Sequence, residues 1–102
     1  MKCETSKCGL TPAVEVIGNK WNLIIIFILM DGSKRFTEIQ KVLGGINPKT
    51  ITKHLRILEK YKLVTRTVYA EVPPRVEYAL TDQGKAFLPI YEDINRWGRS
   101  LK

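Results

Sequence analysis

Four cationic side chains recur along one predicted helix at spacings of three and four residues. They are Lys49, Lys53, Arg56 and Lys60. Residues with these spacings share one face of an α-helix, while Ile51, Leu55 and Leu58 fall on the opposite face. A helix anchored by its apolar face can present its cations to DNA phosphates and enter a major groove about 12 Å wide. The plain alternative is a solvated helix face, since surface helices often carry several cations.

The segment before this helix has the pattern of a helix-turn-helix. Residues 37–43 are predicted to form a short helix opened by a capping box, in which Thr37 and Gln40 satisfy each other's free amides. Gly44-Gly45 ends this helix and permits the positive φ values of a tight turn. Asn47 then caps the cationic helix, and Pro48 takes its first position, where a missing N–H group costs nothing.

Two predicted strands follow the cationic helix. Residues 64–70 and 76–80 alternate in polarity and are rich in Val, Thr and Tyr, and Pro73-Pro74 stiffens the tip between them. A hairpin placed directly after a helix-turn-helix is typical of a winged helix. The helix pair, the cationic face and the hairpin are independent features, and they occur in the order of a winged helix. Together they favour DNA binding strongly over a merely solvated helix face.

The predicted DNA contacts lie on the helix pair and the hairpin. They are Arg35, Thr37, Asn47, Pro48, Lys49, Thr50, Thr52, Lys53, Arg56, Arg66 and Arg75. Base contacts are expected from the first two turns of the cationic helix, because those turns enter the groove in a helix-turn-helix. Thr37 is expected either to aim its helix N-terminus at a phosphate or only to cap that helix. Arg75 either reaches a minor groove or flanking phosphate, or pairs with Glu71 or Glu77.

The rest of the chain predicts one α+β domain that is mostly helical, with a two-stranded wing and extra N- and C-terminal helices. Residues 1–10 are predicted to be a flexible arm and residues 11–102 the single domain. Thr11-Pro12 is predicted to open the first helix, and residues 20–30 a buried central one. Thr81 is predicted to cap a last helix that reaches about residue 100.

Composition limits the possible functions. The chain has 102 residues, a formal net charge of +7 and a pI near 9.6, which favours polyanionic partners. The longest apolar run is too short for a membrane span, which needs about 20 residues, and no secretory signal follows Met1. We therefore expect a cytoplasmic, nucleoid-associated protein without a membrane partner. His54, the only histidine, flanks the apolar stripe without a catalytic partner, and two cysteines are too few for zinc, so neither an enzyme nor a cofactor or metal is expected.

Several motifs resemble those of HxlR-type bacterial transcriptional regulators. Residues 69–81 resemble the wing signature of that family, and Gly18-Asn19-Lys20-Trp21, Arg35-Phe36 and Ile46-Asn47-Pro48-Lys49 resemble its other motifs in the same order. The resemblance spans Cys8 to Trp97. It implies a winged-helix homodimer on a palindromic operator, and a sensor role for an N-terminal cysteine in some members. Two positions depart from the family, with Gly9 and Ala70 where proline is frequent.

The resemblance makes Cys8 the redox-sensing candidate. A sensor thiol needs exposure and thiolate character, which the adjacent Lys7 favours and Glu4 opposes. An unreactive arm cysteine is the alternative.

The predicted dimer residues are apolar positions of the first and last helices. They are Val14, Ile17, Leu88, Tyr91, Ile94 and Trp97. So wide an apolar face in a small domain is expected to pack against a second copy, the alternative being that it folds back onto its own core.

The sequence is compatible with three functions. Two of them bind DNA, either as a sequence-specific regulator or as a non-specific architectural protein, and the third is a module whose cations bind an acidic protein. No small-molecule effector can be named from the sequence.

Overall fold

The computed structural model describes residues 9–102, so Cys8 and most of the predicted arm lie outside the described residues. The elements are, in order, α1 (Leu10–Ile17), α2 (Lys20–Leu29), β1 (Lys34–Arg35), α3 (Phe36–Val42), α4 (Pro48–Lys60), β2 (Val64–Tyr69), β3 (Arg75–Leu80), α5 (Asp82–Ala86) and α6 (Leu88–Ser100). The strands form one antiparallel sheet in the order β1-β3-β2. Helix α2 lies at the centre, as its nearly continuous apolar sequence predicts.

The core joins α2, α3, α4 and the sheet. Its fully buried apolar side chains are Ile25, Ile26, Leu29, Ile39, Ile51, Leu55 and Leu58. The last three lie on the inner face of α4 that the periodicity predicts. Burial of such side chains stabilises the fold by about 1.5–3 kcal/mol each. Strand β3 closes the core with Tyr78 and Leu80, as its alternation predicts.

The turn between α3 and α4 depends on two glycines. Gly44 has φ +69° and Gly45 has φ +95°, in the region that side chains with a Cβ rarely adopt. This turn aims α4 away from α3 and returns its apolar face to the core. The wing is the β2–β3 hairpin, in which Arg66 lies opposite Tyr78 and Val68 opposite Val76.

Two predicted helix starts are wrong. Helix α1 begins at Leu10 with Gly9 at the cap, so Thr11 lies inside the helix rather than at its cap. Helix α3 begins at Phe36, and Thr37 is not its cap. The chain enters α3 straight from β1 through Arg35, whose backbone N–H donates to Glu38 Oε1 at 2.9 Å. Glu38 therefore satisfies the amide at this end, in place of Gln40.

Strand β1 and a break in the last helix were not predicted. Two residues are too few to show an alternating pattern, yet Lys34 and Arg35 pair with Tyr78 and Glu77 of β3. Thr81 does cap α5, because its side chain accepts from the Gly84 N–H at 3.0 Å. The helix then stops at Phe87 and restarts as α6, since Pro89 cannot donate the next helical hydrogen bond.

These elements form a winged helix-turn-helix with additional terminal helices. Within residues 9–102, no single helix is long and apolar enough to cross a bilayer; α1 and α2 reach that length only as a pair, and they meet at an angle of 79°.

Candidate nucleic-acid interface

The N-terminus of α4 is built as predicted. The Asn47 side chain accepts from the Lys49 backbone N–H at 2.8 Å, and Pro48 occupies the first helical position. Side-chain capping satisfies one of the free amides of the first turn and stabilises a helix by about 1 kcal/mol. The first turn of α4 therefore begins at a fixed residue. A helix end that enters a DNA groove requires such a fixed start.

The two faces of α4 separate as the sequence predicts. Ile51, Leu55 and Leu58 are buried on one face, while Lys49, Lys53 and Arg56 are exposed on the other. Thr50 and Thr52 are half-buried beside these cations. His54 is an exception to the prediction: it is not a flanking residue but lies on the inner face, where it is only 4% exposed.

Most cations of this face are available to a ligand. Lys49, Lys53, Arg56 and Arg66 form no ion pair with any residue in 9–102. Lys60, at the end of the stripe, differs because its ammonium lies 3.5 Å from the Glu15 carboxylate. Unpaired cations can release the counterions of DNA without first breaking a protein contact.

One continuous surface contains most of the predicted contacts. An open depression along α4 is lined by Pro48, Lys49, Thr52, Lys53 and Arg56. A second depression joins α4 to the wing, and it is lined by Thr52, Arg56, Glu59, Arg66 and Tyr78. The guanidinium of Arg66 in the wing thus continues the cationic face of α4.

Three further predicted contacts line a separate depression. Arg35, Thr37 and Arg75 line a small depression between α3 and the hairpin tip. Arg75 is engaged there: its guanidinium lies 3.3 Å from both the Glu71 and Glu77 carboxylates and 4.1 Å from the centre of the Tyr69 ring. Of its two possible roles, the structure shows the pairing with Glu71 and Glu77, and its contact with DNA stays a prediction.

A polar cluster that the sequence pattern did not predict lies behind the cationic face. His54 Nδ1 lies 2.9 Å from Asn22 Oδ1 of α2, and Glu15 of α1 contacts both Lys60 and Tyr61 at the end of α4. Burial, with a smaller effect of the charge on Lys53, lowers the pKa of His54 below its ordinary value. The available signal was Asn22, the one polar residue inside the apolar run of α2.

The arrangement has the chemistry of a phosphate- and base-binding surface. It supplies guanidinium and ammonium donors, threonine hydroxyls and a capped helix start on one exposed face, all supported by a rigid apolar core. Arginine and lysine contact phosphates and guanine edges, and threonine contacts phosphates or a thymine methyl group.

The chain is similar to several known proteins. The family model for the HxlR-like helix-turn-helix matches residues 16–102. An uncharacterised HTH-type transcriptional regulator of Methanothermobacter thermautotrophicus is 44% identical over 92 residues, which cover 90% of this chain and 70% of that protein. The redox regulator HypR in its oxidized form is 40% identical with a TM-score of 0.81, over 91% of this chain and 96% of that one. The diamide-treated YodB of Bacillus subtilis is 33% identical with a TM-score of 0.79, over 97% and 96% of the two chains.

A winged helix-turn-helix in which α4 exposes a cationic face belongs to the class of DNA-binding transcriptional regulators. The chain is a member of the HxlR-like helix-turn-helix family within that class. Its relatives are regulators rather than enzymes, in agreement with the sequence prediction.

Proposed function

We propose that the protein is a sequence-specific regulator that binds duplex DNA as a homodimer on a palindromic operator. The observation that carries this proposal is the division of α4, whose buried face is fixed to the core while Lys49, Lys53 and Arg56 stay exposed and unpaired among the described residues. In this function α4 is the recognition helix, Arg66 contacts a phosphate beside it, and the protein acts at the nucleoid.

The terminal helices support the dimer. Helix α6 has no buried residue along its 13 positions, although Leu88, Ile94 and Trp97 are apolar. Tyr91 stacks on Phe27 with ring centres 5.8 Å apart, and Leu88 packs partly on the core, so these two positions are partly used within the chain. Trp97, by contrast, is exposed.

Exposed apolar side chains lie on and beside the predicted face. They are Leu10, Val14 and Ile17 on α1, Ile90 and Trp97 on α6, and Leu101 at the C-terminal cap of α6. The side chains at α1 are four and three positions apart, and those at α6 are seven and four positions apart. Such spacings align side chains on one helix face. An apolar cleft of 310 Å³ separates α1 from the start of α6. A second copy related by a two-fold axis can cover both helices and place two recognition helices about 34 Å apart, one turn of DNA.

The proposal is tested by selecting bound fragments from the genome of the host and measuring affinity for the enriched sequence and for random duplex. We expect a two-fold symmetric sequence, an affinity ratio of about 10³ or more, and binding that weakens steeply with salt. A ratio near one would favour a non-specific architectural binder. Failure to bind any duplex at low salt would favour a module for acidic proteins.

We further propose that Cys8, which lies outside the described residues, makes DNA binding sensitive to oxidants. Two of the solved relatives support this, since HypR is named a redox regulator and YodB was solved after treatment with diamide, a thiol oxidant. We expect diamide to change the operator affinity of the native chain and of Cys3→Ser, because the Cys8 thiol is intact in both. Cys8→Ser should not respond, and equal affinities in all samples, treated and untreated, would remove the sensor role.

A further inference from the structure

Asn22 satisfies the end of α1 from inside the core. Its side chain is fully buried, and its Nδ2 group donates to the backbone carbonyls of Glu15 at 3.2 Å and Val16 at 3.1 Å. These carbonyls lie in the last turn of α1, where helical partners are missing. Because both amide hydrogens are used on acceptors, the orientation of the Asn22 amide is fixed and Oδ1 must face the other way, as an acceptor.

His54 of α4 meets that acceptor. Its Nδ1 lies 2.9 Å from Asn22 Oδ1, and since Oδ1 can only accept, Nδ1 must be the nitrogen that bears hydrogen. The neutral imidazole is therefore held in its Nδ1–H tautomer. A continuous line of hydrogen bonds runs from the imidazole of α4 through the amide of α2 to the carbonyls of α1.

A second contact joins the same two helices further along α4. The Tyr61 hydroxyl donates to Glu15 Oε2, and the Lys60 ammonium lies 3.5 Å from Glu15 Oε1. The hydrogen bond from Tyr61 lowers the pKa of Glu15, and the same bond raises the pKa of Tyr61. His54 and Lys60 are six positions apart, or about 9 Å along the helix axis. Two attachments at that separation fix the direction of α4 as well as its distance from α1.

We propose that Asn22, His54 and Glu15 form a polar bridge from α1 to α4 that positions the recognition helix, and that His54 is a positioning residue for operator recognition. This inference rests on the proposed function in treating α4 as the recognition helix. It goes further in one respect: because α1 belongs to the proposed dimer face, the bridge makes the placement of each recognition helix depend on the dimer contact.

The test compares operator and random-duplex affinity for two substitutions of His54. His54→Leu removes the donor and leaves Asn22 Oδ1 buried without a partner, whereas His54→Asn retains an N–H donor near the position of Nδ1. We expect His54→Leu to lower the ratio of the two affinities by about tenfold, equivalent to about 1.4 kcal/mol. His54→Asn should restore most of the ratio. Affinity for random duplex should stay unchanged in both, because the cationic face is intact.

Ile51→Val is the matched control for lost stability. Ile51 is buried on the same helix face, and the change removes one methylene group without touching the bridge. Each variant is measured at a temperature where circular dichroism shows it to be folded. An operator-to-random ratio that falls equally in Ile51→Val and His54→Leu would overturn the positioning role.

Nitrogen-15 NMR of the imidazole ring supplies a readout that needs no DNA. The bridge requires a hydrogen on Nδ1 and a bare Nε2 in the native protein at neutral pH. The pKa of His54 lies below its ordinary 6.5, so the unfolded chain binds more protons as the pH falls through 6.5, and the free energy of unfolding should drop there. The charge on Lys53 lowers the pKa of His54 further, while the carboxylate of Glu15 is engaged by Tyr61 and Lys60.

His54→Asn should lose this part of the pH dependence. An Nε2–H tautomer, or the same pH dependence in His54→Asn, would overturn the bridge even where operator binding is normal. A native chain that shows the Nδ1–H tautomer but no operator preference would contradict the proposed function and the positioning role, and leave the hydrogen-bonded bridge standing.

Discussion

Replacing Lys53 with alanine is expected to weaken operator binding by about 5- to 150-fold and to relax the base preference at one operator position. The size follows from a base contact, which contributes about 1–3 kcal/mol at tenfold per 1.4 kcal/mol. Lys53 is exposed in the second turn of α4 and forms no ion pair with residues 9–102. The measurement is a competition assay with the selected operator and its single-base variants.

Lys85→Ala is the matched control for the change in charge. Lys85 is an exposed residue of α5, and either substitution lowers the formal net charge of +7 by one. A purely long-range charge effect would weaken binding to all DNA in both variants. If Lys53→Ala weakens operator and random duplex by the same factor and only reduces the salt dependence, Lys53 is a phosphate contact and the base-reading role is wrong.

The sequence was sufficient for features whose determinants are close together in the chain. The start of α4 depends on Asn47 and Pro48, and its division into two faces depends on spacings of three and four within 13 residues. The hairpin likewise follows from alternation on either side of Pro73-Pro74. Both helix-turn-helix and wing could therefore be predicted, because each local pattern has one favourable structure.

The missed features depend on contacts between distant residues. The hydrogen bond between His54 and Asn22 joins residues 32 positions apart, and the ion pair of Lys60 with Glu15 joins residues 45 positions apart. Helical periodicity says which residues share a face but not which side chain of another helix meets them. For the same reason the sequence did not decide between the two roles of Arg75. Strand β1 is only two residues long and is defined only by its pairing with β3, so the sequence could not predict it.

Replacing Trp97 with glutamate is expected to convert the proposed dimer into monomers and to lower operator affinity by about 10²- to 10⁴-fold. Trp97 is 67% exposed, so its removal should cost the isolated chain little stability. In the proposed dimer the new carboxylate would be buried among apolar side chains without a partner, at a cost of several kcal/mol. Loss of the dimer removes the gain that two linked sites provide on a palindrome. Sedimentation equilibrium measures the mass, and a gel shift measures the affinity.

Asn95→Glu separates this effect from the added charge. Asn95 is exposed on the same helix but two positions from Trp97, which places it about 160° around the helix, since each residue turns by about 100°. Both variants add one negative charge to α6, yet only Trp97→Glu places it on the proposed contact. We expect Asn95→Glu to remain dimeric and to bind the operator like the native chain. If both variants stay dimeric and bind normally, α6 does not form the dimer contact, and the palindrome must be explained by another face of the protein.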